Sequence, residues 1–173
     1  APGDFAHLTE IVLNTGRQRR LSDIYGIQLY NPAFVALDCQ GERLIFTYNN
    51  GKMRGLGVYD IQKKKVVKKK NFQRINNVVY DNAHDCLYGL FSNGGTQSIV
   101  RMDRDLENPE VIYAFPFGVS VFDVDVSHDG KYLSMTRQGD NGEHTLMLFN
   151  TEELAQAIFK PVDLVTWEDS NLR

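Results

Sequence analysis

The feature that most constrains this chain is a leucine that closes the same short phrase three times. Leu44, Leu87 and Leu133 each follow an apolar strand end and a tight polar turn. The phrases are Leu37-Asp38-Cys39-Gln40-Gly41-Glu42-Arg43-Leu44, Tyr80-Asp81-Asn82-Ala83-His84-Asp85-Cys86-Leu87 and Val126-Ser127-His128-Asp129-Gly130-Lys131-Tyr132-Leu133. The leucines stand 43 and 46 residues apart. A second marker runs out of phase with the first: an apolar residue, then an Asp or Asn that opens another turn. It occurs at Leu13-Asn14, Tyr59-Asp60, Met102-Asp103 and Phe149-Asn150, with spacings of 46, 43 and 47. From each leucine to the next Asp or Asn the offset is 16, 16 and 17. Two independent markers hold one period in the forties, filled with short strands and turns, which is the length of a four-stranded propeller blade.

The strand pattern agrees with that period. One repeat predicts strands at Phe34–Leu37, Arg43–Tyr48, Leu56–Tyr59 and Val66–Lys69. The next predicts them at Asn77–Tyr80, Cys86–Phe91, Ser98–Met102 and Val111–Phe115, and the third at Phe122–Val126, Tyr132–Arg137 and Thr145–Phe149. Second strands such as Leu44-Ile45-Phe46 are apolar on both faces, as a strand sandwiched between neighbouring blades must be. Asn50-Gly51, Asn93-Gly94-Gly95, Asp129-Gly130 and Asn141-Gly142 supply hairpin turns where they are needed. One segment departs: Thr151 with Glu152 and Glu153 behind it reads as the capped start of a short helix running to Phe159. It leaves only a weak fourth strand near Ile158–Lys160.

The phase of the repeat places the ends. Counting back from Asn14 puts the matching leucine before residue 1, so residues 1–24 read as a blade remnant, with strands near His7–Leu13 and Arg19–Leu21. Full blades follow at 30–72, 75–117 and 120–163, and 164–173 reads as the start of the next blade, with an inner strand around Leu164–Trp167. The expected fold is therefore all-β: a partial β-propeller of about three and a half four-stranded antiparallel blades, with one short helix near the C-terminus. Propellers close with four to eight blades, and an open arc leaves faces and edges unpaired. The chain is expected to be part of a larger protein, completed by the remainder of the same propeller or by a second chain. A closed four-bladed ring, its fourth blade shared between the two ends, is the alternative.

Composition narrows the function classes. A net charge of -3 argues against a nucleic-acid binder. No apolar run approaches the ~20 residues that span a bilayer, so membrane insertion is not expected. Cys39 and Cys86 are too few for a disulfide framework and lack metal-ligand spacing.

Val126-Ser127-His128-Asp129-Gly130-Lys131-Tyr132-Leu133 resembles the signature of TolB-like (WD40-like) propeller repeats, in which a strand, Ser-Pro-Asp-Gly-Lys and a second strand succeed one another. His128 stands where proline is usual, and the Asp-Gly turn remains. Asp60-Ile61-Gln62-Lys63-Lys64 and Asn14-Thr15-Gly16-Arg17-Gln18-Arg19-Arg20-Leu21-Ser22 resemble the other half of the repeat, an Asp, a short turn and a basic strand. The first two repeats depart at the turn, with Cys39-Gln40-Gly41 and Ala83-His84-Asp85. The resemblance implies a propeller and an extracytoplasmic, periplasmic setting in a bacterial envelope. It does not imply one function, because such repeats also form the propeller domains of prolyl-oligopeptidase-type serine peptidases.

Chemistry-bearing motifs are scarce. The chain has no Gly-x-Ser-x-Gly elbow, no His-Glu-x-x-His and no phosphate loop. Histidines 7, 84, 128 and 144 are scattered, and His84 and His128 occupy equivalent turns, which predicts surface positions. Asp123 and Asp125 alternate with apolar residues on an inner strand. Period two would put both carboxylates on one face, where they could help hold a channel cation through oxygen ligands. The plainer reading is that they hydrogen-bond turns or water, and no resident cofactor is expected. Lys63-Lys64-Lys65 and Lys68-Lys69-Lys70 could face an anionic partner, but lysines on an outermost hairpin also block edge pairing. Asp103-Arg104-Asp105 reads as a charged hairpin turn.

Aromatics are plentiful, Tyr48, Tyr59, Tyr113, Phe115, Phe117 and Phe122 among them, and most are expected in the core between blades. Phe115 and Phe117, in Phe115-Pro116-Phe117-Gly118, and Tyr30, in Tyr30-Asn31-Pro32, fall where connections between blades reach one rim. Rim loops are where propellers bind, and an aromatic there can anchor a partner. The leading expectation is a non-catalytic scaffold that binds protein partners at a rim or channel mouth, with Tyr30, Phe115, Phe117, Asp123 and Asp125 as candidate contacts. The alternatives are the propeller domain of a serine peptidase whose catalytic domain lies elsewhere, and a propeller that binds a small molecule or metal in its channel.

Overall fold

A computed structural model of the chain describes residues 9–20, 35–38, 40–50, 53–71, 74–139, 141–156 and 162–168. Three four-stranded antiparallel sheets follow one another along the chain. The first blade is β3 (Val35–Leu37), β4 (Arg43–Asn50), β5 (Met53–Asp60) and β6 (Lys65–Lys70). The second is β7 (Ile75–Asp81), β8 (Cys86–Asn93), β9 (Thr96–Asp103) and β10 (Glu110–Ala114). The third is β11 (Ser120–Val126), β12 (Tyr132–Gln138), β13 (Glu143–Asn150) and β14 (Val162–Glu168). Ahead of them, β1 (Thr9–Val12) and β2 (Arg17–Arg20) form a two-stranded pair. In every blade strand order equals chain order, so each sheet is a meander whose first strand is innermost. The inner strand β7 packs between β3 and β11, which sets the blades side by side.

Both faces of the middle blade are buried, as the doubly apolar second strands require. Leu87, Val100 and Met102 meet Ile45, Leu56 and Val58 of the first blade. Cys86, Tyr88, Leu90 and Ile99 meet Leu133, Met135, Met147 and Phe149 of the third. On the far side of the first blade Phe46, Tyr48 and Tyr59 make a separate cluster.

The two markers of the repeat have separate physical jobs. The leucines fill the core: Leu87 and Leu133 are fully buried. The Asp and Asn residues close the turn after each third strand by accepting backbone N–H groups. Asp60 Oδ1 accepts from Lys63 at 2.8 Å, Asp103 Oδ1 from Asp105 and Glu107 at 3.0 and 2.7 Å, and Asn150 Oδ1 from Glu152 at 3.0 Å. A carboxylate that accepts such bonds is stabilised in its charged form, and the Lys63 N–H accordingly holds Asp60 below the usual carboxylate range.

Two features correct the sequence reading. The strand over Val162–Glu168 does not open a new blade. It pairs antiparallel with β13, Glu143 opposite Glu168 and Leu146 opposite Val165, and is the outer strand of the third blade. The period misplaced it because the connection after Asn150 is lengthened by an insertion. The fourth strand expected near Ile158–Lys160 lies outside the described residues. The helix in that insertion is a single 3-10 turn, Thr151–Gln156. Its cap is Asn150, while Thr151 is buried and its hydroxyl donates to the Gly130 carbonyl.

Candidate functional site

The propeller arc has two dissimilar rims. One carries the turns after the first and third strands, and it is held together by charge. In the turn after β9, Leu106 is fully buried between the first and second blades. Arg104 reaches Asp38 at 3.5 Å and Asp85 at 3.7 Å, and Asp105 takes Arg43 at 2.8 Å. Glu107 takes Lys68 at 2.8 Å and also Lys70. The Asp103-Arg104-Asp105 turn is therefore a clasp between blades, and two of the clustered lysines are spent on it. His84 and His128 are exposed as expected, with His84 Nδ1 2.8 Å from the buried Asp81 carboxylate. Near this rim Cys86 is buried, and burial, with the Asp81 carboxylate close by, pushes its thiol up to about 11.

The other rim carries the turns after the second strands and the connections from one blade to the next. Between the second and third blades it opens a cleft of about 340 Å³. Arg74 and Ser92, the Asn93-Gly94-Gly95-Thr96 turn, Gln97 and the Gly118-Val119-Ser120 connection line it. Its walls are fixed by hydrogen bonds within the second blade and from it to the third. Gln97 Oε1 accepts the Val121 N–H, and Gln97 Nε2 donates to the Val121 carbonyl at 3.1 Å. Gly118 N donates to the Gly95 carbonyl at 3.1 Å, and Phe115 N to the Gln97 carbonyl at 2.9 Å. Ser92 Oγ accepts Asn76 Nδ2 at 2.9 Å, while Asn76, outside the lining, keeps its Oδ1 buried with no hydrogen-bond partner.

Phe117 forms the lip of this cleft. It is 80% exposed, and its ring lies over Gly95. A Cβ at Gly95 would stand 2.6 Å from the ring as placed, and Gly95 is at φ 86, a conformation that favours glycine. Phe115, expected at the same rim, is instead 4% exposed. Its N–H is still tied to β9, so its ring turns inward and packs edge-on against Tyr113 and Phe149 at 4.9 and 6.1 Å. Tyr30 lies outside the described residues.

Asp123 and Asp125 are both exposed, but the alternation that would align them is broken. Phe122 faces Thr136 and Asp125 faces Ser134, so two residues oppose one, and Asp123 sits at φ 57. That is a β-bulge, which shifts the side-chain phase by one position. Asp125 Oδ1 accepts the Val126 N–H at 2.8 Å. Among the described residues no group of three or more His, Cys, Asp and Glu side chains converges to hold a metal ion.

Arg74, Ser92 and Gln97 belong to this rim and sequence reasoning did not single them out. The repeat placed the Asn93-Gly94-Gly95 turn and the Phe115–Gly118 connection, but it carries no signal for the residues that join them.

These sheets and rims define a TolB-like β-propeller fold. In particular, the chain superimposes on TolB from Acinetobacter baumannii with a TM-score of 0.73 and 15% identity, over 92% of this chain and 37% of that one. A putative TolB from Agrobacterium tumefaciens matches with a TM-score of 0.70 and 12% identity, over 87% of this chain and 53% of that one. A chain of a nidogen/laminin complex matches with a TM-score of 0.57 and 12% identity, over 95% of this chain and 73% of that one. The chain thus spans roughly a third to a half of the TolB structures, and identity at this level speaks for the fold alone. No family model and no curated protein matches the sequence.

Proposed function

We propose that this chain is part of a non-catalytic propeller scaffold that binds a protein partner at its connection rim, with Phe117 as the anchor. The observation that carries the reading is the posture of Phe117: a large apolar ring, 80% exposed, that lies over Gly95 of the β8–β9 turn. An exposed aromatic buries a large apolar area on binding, and such residues dominate interface energies. A matched propeller solved in a nidogen/laminin complex supports the same use of the fold. The high thiol pKa of about 11 argues against Cys86 as a nucleophile at neutral pH. A periplasmic setting is part of the same proposal, and the likeness of the fold to TolB supports it. Among the described residues no helix is long and apolar enough to cross a membrane.

The test is photo-crosslinking in the source cell. A photoreactive phenylalanine at position 117 is expected to capture one discrete protein, and the same label at Lys63, on the opposite rim, is not. Phe117→Ala in the purified complex should weaken binding by about 2 kcal/mol or more, the scale of an aromatic hot spot. Equal capture from both rims would sink the assignment.

A further inference from the structure

The cleft beside Phe117 is one-sided in charge and in hydrogen-bonding capacity. Arg74 is the one charged residue in its lining. Among the described residues the Arg74 guanidinium has no acidic partner, whereas Arg43 and Arg104 of the opposite rim are both paired with carboxylates. Arg74 is also held in place at some strain. Its φ is 75, in the left-handed region that side chains with a Cβ disfavour, and its carbonyl accepts the Ser92 N–H at 3.0 Å.

The neighbours of Arg74 are donors. Ser92 Oγ already accepts from Asn76 Nδ2 at 2.9 Å and from Gln97 Nε2 at 3.4 Å, so its own proton is left for another acceptor. Gly94 and Gly95, at φ 57 and 86, sit between the last ladder pair, Asn93 and Thr96, and their N–H groups lie outside the ladder. A guanidinium, a hydroxyl and turn amides together suit an anionic, acceptor-rich group, and above all a carboxylate. An acidic side chain of a protein presents such a group, and Phe117, exposed at the lip, offers an apolar face to the residue beside it, which a free carboxylate would leave unused.

Resting on the reading that this rim binds a protein, we infer that the cleft receives an acidic side chain of the partner. The carboxylate is bound by Arg74, the Ser92 hydroxyl and the Gly94–Gly95 turn. Phe117 at the lip suits an apolar residue next to the acidic one.

The experiment is a titration of the ¹⁵N-labelled chain followed by NMR, with three probes. One is the end-blocked peptide acetyl-Ala-Leu-Glu-Leu-Ala-amide, the second has Gln in place of Glu, and the third is sodium acetate. The Glu peptide should shift the amide signals of Arg74, Gly94, Gly95 and Ser120 and saturate, with the Gln peptide at least about tenfold weaker. Arg74→Gly removes the charge and relieves the strained φ, so the variant should fold, and in it the Glu and Gln peptides should bind alike. Arg74→Lys should keep part of the preference. Acetate binding as tightly as the Glu peptide would mark a site for free carboxylates and overturn the peptide assignment. Equal binding of the two peptides to the unaltered chain would overturn the proposal, as would no shift at Gly94 and Gly95 with any probe up to roughly 20 mM, above the range of even a weak site. Crosslinking from position 117 without a Glu preference removes this inference and leaves the scaffold reading; a Glu preference without crosslinking does the reverse.

Discussion

Two glycines on the third strand of the first blade exist for the rings opposite them. Gly57 faces Phe46 across the ladder and Gly55 faces Tyr48. A Cβ at either would lie 2.4 Å from the facing ring. Phe46 is fully buried and has nowhere to retreat. Gly57→Ala should therefore destabilise the chain by about 1–3 kcal/mol, the cost of overpacking a filled core. Urea denaturation measures it, and Phe46→Leu in the same background should recover part of the loss. Sequence legibility at this scale depended on whether a local rule survived. Tyr48 and Tyr59 were legible as core aromatics, since a repeat with doubly apolar strands has to bury them. Phe115 and Phe117 looked alike in sequence, and only the hydrogen bond from Phe115 to Gln97 separates the one that turns in from the one that turns out. The bulge between Asp123 and Asp125 was not legible, because an extra residue in a strand leaves no trace in side-chain pattern; it shows in the backbone, at φ 57.

Among the elements, the turn after β9 does more than reverse the chain. Its acidic tip is neutralised by the outermost strand of the preceding blade, and hydrogen bonds from Lys68 and Lys70 hold the Glu107 carboxyl at about 2, against an ordinary 4.5. A carboxyl whose folded pKa lies below its unfolded one contributes fully above the unfolded value. The contribution fades as pH falls toward the folded value. Unfolding temperature should therefore drop from pH 4.5 toward pH 2, and Glu107→Gln should flatten that part of the profile. The effect should be modest and shrink at high salt, since the pair is exposed and screened. Thermal melts of both proteins across this range, at low and high salt, make the comparison. Inner and middle strands were legible because two markers pinned each of them. The outer strand of the third blade was not, because a period carries no phase across an insertion, and the segment from Thr151 onward is an insertion.

As a whole, the molecule is an arc with exposed apolar residues at both ends. At one end Ile11 and Leu13 are 53% and 94% exposed, and at the other Val162, Leu164 and Val165 are 60%, 53% and 53% exposed. β6 and β14 are both outermost strands, yet β6 carries four lysines and β14 carries none. Exposed apolar edges seek partners. The chain alone should therefore self-associate, and Val162→Lys with Val165→Lys should shift it toward monomer in sedimentation velocity; an unchanged distribution would count against this edge as the contact. Legibility was greatest at this scale, because a repeat fixes an architecture even where its individual turns have drifted. The joint at Gln97 has a consequence the repeat conceals. Its amide substitutes for a peptide group, bonding the N–H and the C=O of Val121 together. Six residues before each turn-closing Asp or Asn, the matching positions hold Arg54 in the first blade and His144 in the third. This seam is thus written once, so the blades are not interchangeable tiles: exchanging the second with either neighbour would leave Val121 without its counterpart, and their order along the chain is itself part of what the sequence encodes.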